Sequence, residues 1–201
     1  MGWTKEKPVP PLPPIPKNMG YNVNYDQLSD FIKGEEGFRK EAYRIPTYHN
    51  DGTISWGNPT IGYGAETYQD GSSVQMGDTI DEFGATELWK HHINTGIEQL
   101  EKIPAFQKMN TNQKTAIVSF GYNLGPYFMS EEANQNGEFD TIQTAIKSGD
   151  ADQIAAAMRL YNRKGPVGRT VYSPGLAKRR ENEIELYNMP MGDDDIEGRY
   201  E

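Results

Sequence analysis

Apolar positions keep helical spacing along some stretches of the chain and lose it along others. Leu28, Phe31 and Ile32 stand at i, i+3, i+4, which predicts a helix over 25–36, stopped by Gly37 in a left-handed cap. From Tyr43 to Gly64 that period disappears. Asn50-Asp51-Gly52 is a turn signal, and Pro59-Thr60-Ile61-Gly62-Tyr63-Gly64 reads as a short strand ending in glycines, so a small β lobe is expected here. Helices then dominate. Thr79-x-x-Glu82 has the form of a capping box opening a long helix, with Leu88, Trp89, Ile93, Ile97 and Leu100 along one side until Pro104. Thr111 is the expected cap of a buried helix holding Ala116, Ile117, Val118 and Phe120, ended by Asn123-Leu124-Gly125. Two shorter helices fit 141–147 and 150–161 across Ser148-Gly149, and Ser173-Pro174 opens a last helix running to about Asn188. There is no internal repeat. The pattern predicts an α+β protein, with a small β-hairpin lobe and a larger helical lobe.

The ends read differently from the middle. Six prolines between Pro8 and Pro16 favour extended polyproline II, making residues 1–24 an arm with Val9, Leu12 and Ile15 apolar at every third position. Residues 188–201 form an acidic tail with Asp193, Asp194, Asp195, Glu197 and Glu201. The body is 25–187. No apolar run is long enough to span a membrane, and the first residues lead into prolines rather than an apolar segment, so neither membrane insertion nor a signal peptide is expected.

Composition narrows the chemistry. The chain of 201 residues has no cysteine, which removes disulfides, thiolate metal sites and cysteine nucleophiles. Its three histidines include the adjacent His91 and His92, which would point about 100° apart on a helix. No glycine-rich phosphate loop occurs, and neither metal nor cofactor is called for. The net charge of −9 argues against a nucleic-acid partner. Charge is uneven, however: between Gln153 and Arg180 lie Arg159, Arg163, Lys164, Arg169, Lys178, Arg179 and Arg180 with no acid among them. That stretch is either a surface for an anionic substrate or a solvated face balanced elsewhere.

What remains is carboxylate chemistry. Glu36 falls where the first helix ends and where a β lobe can fold back over it. A carboxyl partly shielded there has its ionised form disfavoured and can serve as a general acid near neutral pH. Glycosidic cleavage needs such an acid and a second group managing water or cationic charge on the other face.

Four blocks then carry a resemblance. Glu35-Glu36-Gly37-Phe38-Arg39-Lys40-Glu41-Ala42-Tyr43, Pro59-Thr60-Ile61-Gly62-Tyr63-Gly64, Ser119-Phe120-Gly121-Tyr122-Asn123-Leu124-Gly125 and Gly175-Leu176-Ala177-Lys178-Arg179-Arg180-Glu181-Asn182-Glu183 occur in this order over roughly 25–188. Together they resemble the phage-type lysozymes, the T4-lysozyme-like muramidases. The resemblance implies a lysozyme-like fold with its catalytic cleft between the two lobes. It implies Glu36 as catalytic acid and Thr60 as the threonine positioning the attacking water. The position usually held by Asp, two residues after the tyrosine, is Ile45. The loop from Thr47 to Asn58 is longer than usual and brings in Asp51 and His49, either of which could fill the vacant place, or nothing does. The resemblance also pairs Glu35 with Arg179 or Arg180 as a structural ion pair. Trp56 and Tyr63 are candidates for stacking on sugar rings, Asn123 joins them as a substrate-binding candidate, and Trp89 is assigned to the core. Gly62 and Gly64 are expected to serve close backbone approach.

The implied partner is bacterial peptidoglycan, cut at the β-1,4 bond between N-acetylmuramic acid and N-acetylglucosamine. Two other outcomes stay open. If nothing replaces the missing Asp, a single glutamate would make a lytic transglycosylase. The arm and tail would suit a lysozyme-like component of a phage particle, with tail or baseplate proteins as partners. The implied location is the host cytoplasm before lysis, or the virion.

Overall fold

The computed structural model describes residues 21–48, 52–125, 128–130, 137–164 and 170–190. The arm up to residue 20, the tail from residue 191, and His49, Asn50 and Asp51 lie outside these. The described chain divides into two compact units, one of residues 29–92 and one of residues 21–28 with those from 93 onward. No described helix is long and apolar enough to cross a membrane.

The first unit begins within α1 (Tyr25–Glu36), whose bounds match the i, i+3, i+4 pattern. Gly37 follows at φ +64°, the left-handed stop expected of it. Four short strands come next: β1 (Arg39–Tyr43), β2 (Pro46–Tyr48), β3 (Ile54–Trp56) and β4 (Thr60–Gly62). β1 pairs antiparallel with β4, Arg39 opposite Gly62 and Tyr43 opposite Thr60, with an irregularity between. β2 and β3 form a second antiparallel ribbon, Pro46 opposite Trp56 and Tyr48 opposite Ile54. The Gly57 N–H donates to the Ile45 carbonyl at 3.0 Å and closes the base of this ribbon.

Thr79 does not cap the long helix. Its backbone pairs with Glu41 on the open side of β1, and the flanking Ile80 N–H donates to the Lys40 carbonyl at 2.9 Å. With the helix beginning at Glu82, Thr79 lies three residues ahead of it, outside the cap position. Asp81 takes the task, its Oδ1 accepting from the Gly84 N–H at 2.7 Å at the start of α2 (Glu82–Leu100). Gly62 sits at φ +64°, and a Cβ there would lie 3.0 Å from the Ala85 Cβ. Only glycine lets β4 approach α2 this closely. Ile61, Val74, Leu88 and Trp89 are buried in this unit, Trp89 at 2% exposure as its core assignment anticipated.

The second unit is helical. A short α3 (Pro104–Gln107), not anticipated, follows the end of α2. In α4 (Thr111–Leu124) eight consecutive residues from Lys114 to Gly121 are buried, which makes it the central helix. Its cap is Asn110 rather than Thr111: the Asn110 side chain accepts from the Gln113 N–H while the Gln113 side chain accepts from the Asn110 N–H. The Thr111 hydroxyl donates instead to Asn22. α5 (Asp140–Ser148) ends on Gly149 in the left-handed region, and Asp150 caps α6 (Ala151–Arg159). A small hairpin of β5 (Arg163–Lys164) and β6 (Val171–Tyr172) precedes α7 (Pro174–Asn188), which Ser173 and Pro174 open as expected. Gly121 leaves room for Phe128 against α4, and Phe120, Phe128, Phe139 and Tyr161 form a mostly edge-to-face aromatic cluster.

Candidate active site

Thr60 begins β4, a strand buried at all three positions, and is itself 8% exposed. Its Oγ1 donates to the Asn58 carbonyl at 3.1 Å. With the hydroxyl proton committed there, the oxygen faces other partners as an acceptor. Asn58 is tied down in turn, its Nδ2 donating to Glu66 Oε2 at 2.9 Å. The motif reading missed Asn58 and Glu66. The one available signal was an amide next to Pro59 in the segment that turns into β4.

Glu36 is the last residue of α1, three residues before the Arg39 that pairs with Gly62. It therefore stands at the helix end where backbone dipoles gather partial negative charge. The side chains of Glu35 and Glu36 lie outside the described residues, as do Asp51 and His49 entirely. Ile45 is 61% exposed, an aliphatic side chain with nothing to hold a water.

The two aromatic candidates part company. Trp56 is 59% exposed on β3. Tyr63 is 4% exposed, its ring 5.8 Å from Phe38 and its hydroxyl donating to Glu82 Oε1 at 3.3 Å. Burial first, then the neighbouring Glu82 carboxylate, pushes the Tyr63 hydroxyl up from 10.0. Such a ring has no open face for a sugar, so the stacking expectation for Tyr63 is corrected. The close packing that Gly62 permits turns this tyrosine into core.

In the second unit, Arg179 and Arg180 are buried, and both pair with Glu183. Arg179 Nε lies 3.1 Å from Oε1, Arg180 Nε lies 3.0 Å from Oε2, and the Ser119 hydroxyl donates to Oε1 at 2.8 Å. Asn123 Oδ1 accepts from Arg180 Nη2 at 3.2 Å, so its carbonyl is engaged with this network. Arg159 pairs with Glu181 at 2.8 Å. Three of the seven basic residues of the stretch, Arg159, Arg179 and Arg180, thus meet the acids just after it, Glu181 and Glu183. Among the described residues no group of three or more His, Asp or Glu side chains is placed to hold a metal ion.

The Phage lysozyme family matches residues 33–183. The chain belongs to this family. As a member of this family it is a glycosidase that hydrolyses peptidoglycan, and the matched stretch includes Glu36, Asp51, Thr60 and Glu183. Solved structures agree in fold. An endolysin from Escherichia coli O157:H7 phage FAHEc1 is 29% identical with a TM-score of 0.59, the match covering 83% of this chain and 92% of that one. A P22 lysozyme variant is 25% identical with a TM-score of 0.54, covering 83% and 98%. The muramidase domain of SpmX from Asticaccaulis excentricus, 23% identical with a TM-score of 0.56 over 82% and 96%, shares the fold. No curated protein sequence matches the chain significantly. The lysozyme-like architecture expected from the motifs is therefore the one adopted.

Proposed function

We propose that this lysozyme cleaves the β-1,4 bond between N-acetylmuramic acid and N-acetylglucosamine with Glu36 as general acid and Thr60 as the residue that holds the attacking water. The family match over 33–183 carries this reading, because Glu36 and Thr60 stand inside it in the Glu-Gly and Thr-Ile-Gly-Tyr-Gly motifs. Glu36 protonates the glycosidic oxygen as the bond to C1 breaks and positive charge spreads over the sugar ring. It stands at the C-terminal end of α1, where the chain turns into the β strands. A water donating to Thr60 Oγ1 attacks C1 from the opposite face and inverts the anomeric centre. Asp51 receives the water's proton in place of the Asp that Ile45 replaces.

The chain is phage-encoded on this reading. It acts from the host cytoplasm as an endolysin or from the virion as a tail-associated lysozyme, with the proline-rich arm docking on tail or baseplate proteins. Ile45 favours a second reading, because an exposed isoleucine offers no polar group opposite the acid. There the muramyl 6-hydroxyl attacks C1 in place of water, and Glu36 acts as acid and then base. Mass spectrometry of purified peptidoglycan after digestion separates the two. Reducing muramic-acid ends support the hydrolase, and anhydro ends, lighter by one water, establish the transglycosylase.

A further inference from the structure

The β2–β3 ribbon exposes more apolar surface than a two-stranded element needs to fold. Ile54 is 49% exposed and Trp56 59%, and all three residues of β3 are open to solvent. As alternate residues of one strand, Ile54 and Trp56 share a face, and Pro46, directly opposite Trp56, adds to it. The ribbon is anchored toward the candidate site. The Gly57–Ile45 hydrogen bond closes its base, and Asn58, whose carbonyl holds Thr60, is fastened to Glu66. Trp56 and Thr60 are four positions apart in the chain, at most about 14 Å when extended. The strand that carries the indole thus lies a short stretch of chain from the threonine of the candidate site.

Composition selects the occupant. Pro46–Tyr48, Ile54–Trp56, Gly57 and Asn58 contain no charged residue, and they mix an indole and aliphatic groups with hydroxyls and an amide. A membrane-binding hairpin would carry lysine or arginine to meet anionic headgroups. An open indole on an uncharged ribbon suits the apolar face of an N-acetylated pyranose.

The geometry points to the β2–β3 ribbon as an accessory glycan platform, on which Trp56 and Ile54 hold N-acetylated sugars of the same strand beyond the pair being cleaved. The inference rests on the proposed muramidase reading, and it makes Trp56 a determinant of chain-length preference rather than a catalytic residue.

The test compares wild type, Trp56→Ala and Ile54→Ser on long glycan strands and on short muropeptide oligomers, with melting temperatures measured alongside. Tryptophan fluorescence titration of Glu36→Gln, with and without Trp56→Ala, uses N-acetylglucosamine oligomers as the probe. The platform predicts roughly a tenfold loss of kcat/KM on long strands for Trp56→Ala, a smaller loss for Ile54→Ser, near-wild-type rates on short oligomers and unchanged melting. It also predicts fluorescence quenching that disappears with Trp56. Equal losses on long and short substrates, or no loss on either, overturn it. Vesicle binding that depends on Trp56, with glycan cleavage unaffected, assigns the ribbon to lipid and likewise overturns it. Absence of any cleavage by wild type would instead refute the muramidase reading, while the titration still reports on the platform.

Discussion

Replacing Glu183 by Gln tests the packing logic of the helical unit most severely. The carboxylate is fully buried and takes Arg179 on one oxygen, Arg180 on the other, and the Ser119 hydroxyl besides. Burial pushes the Glu183 carboxyl up, against the downward pull of Arg180 and Arg179. Its ionised form depends on those guanidiniums and on the Ser119 hydroxyl. Gln removes the charge from under both guanidiniums and turns an amide N–H₂ toward one of them. Removing one partner of a buried ion pair costs about 3–5 kcal/mol. Here the cost falls near the lower end, because two contacts persist. Arg179 Nη2 keeps the Ser119 carbonyl at 3.3 Å, and Arg180 keeps Asn123 and its seat 4.6 Å over the Phe120 ring. About 3 kcal/mol corresponds to a fall in Tm of roughly 6–12 °C for a domain of this size. The assay is thermal unfolding followed by circular dichroism, with urea titration to check that the m-value is unchanged. The double variant Arg180→Met with Glu183→Met should recover part of the loss, since a matched apolar pair strands fewer charges. A Glu183→Gln protein melting within about 2 °C of wild type would refute the argument.

Other expectations concern separate parts of the molecule. Burial, and next the neighbouring His91, pushes His92 down from 6.5 to about 4. The unfolded chain then binds a proton that the folded one refuses, so stability held above pH 6.5 is lost as pH falls toward 4, by at most about 3 kcal/mol. Urea unfolding at both ends of that window should show the slope, and His92→Asn should flatten it. Gly121→Ala puts a Cβ 2.6 Å from the Phe128 ring and should cost about 1–3 kcal/mol in the same measurement. Thr60→Val keeps the shape but loses the acceptor oxygen. It should lower kcat by about 10²-fold or more with KM little changed, while Thr60→Ser retains most activity in a peptidoglycan release assay.

What the sequence made legible follows a physical divide. The bounds of α1 and α7 were readable because Leu28, Phe31 and Ile32, and the Ser173-Pro174 pair, are local signals that nothing distant overrides. The cap of α2 was not, since Thr79 is drawn into pairing with Glu41, 38 positions earlier in the chain. Asn110 displaced Thr111 by a single residue because its side chain can join a reciprocal box with Gln113. Tyr63 looked like a cleft aromatic from its motif, but only the approach of β4 to α2 shows that its ring is enclosed. The basic run ending at Arg180 was visible, whereas its inward turn onto Glu183 depends on helical phase and on Ser119, 64 residues away. Asn58 escaped notice because holding a threonine through a backbone carbonyl leaves no residue-type signature. The network on Glu183 also shows how an acidic chain with a −9 net charge can bury two arginines.

The central claim is that Glu36 supplies the acid for peptidoglycan cleavage. The most direct test measures release of soluble muropeptides from purified peptidoglycan by wild type, Glu36→Gln and Glu35→Gln, each first shown to be folded by circular dichroism. The account predicts that Glu36→Gln abolishes release while keeping its fold, and that Glu35→Gln retains turnover. Release by Glu36→Gln at the wild-type rate would contradict it and send the search for the acid elsewhere in the first unit.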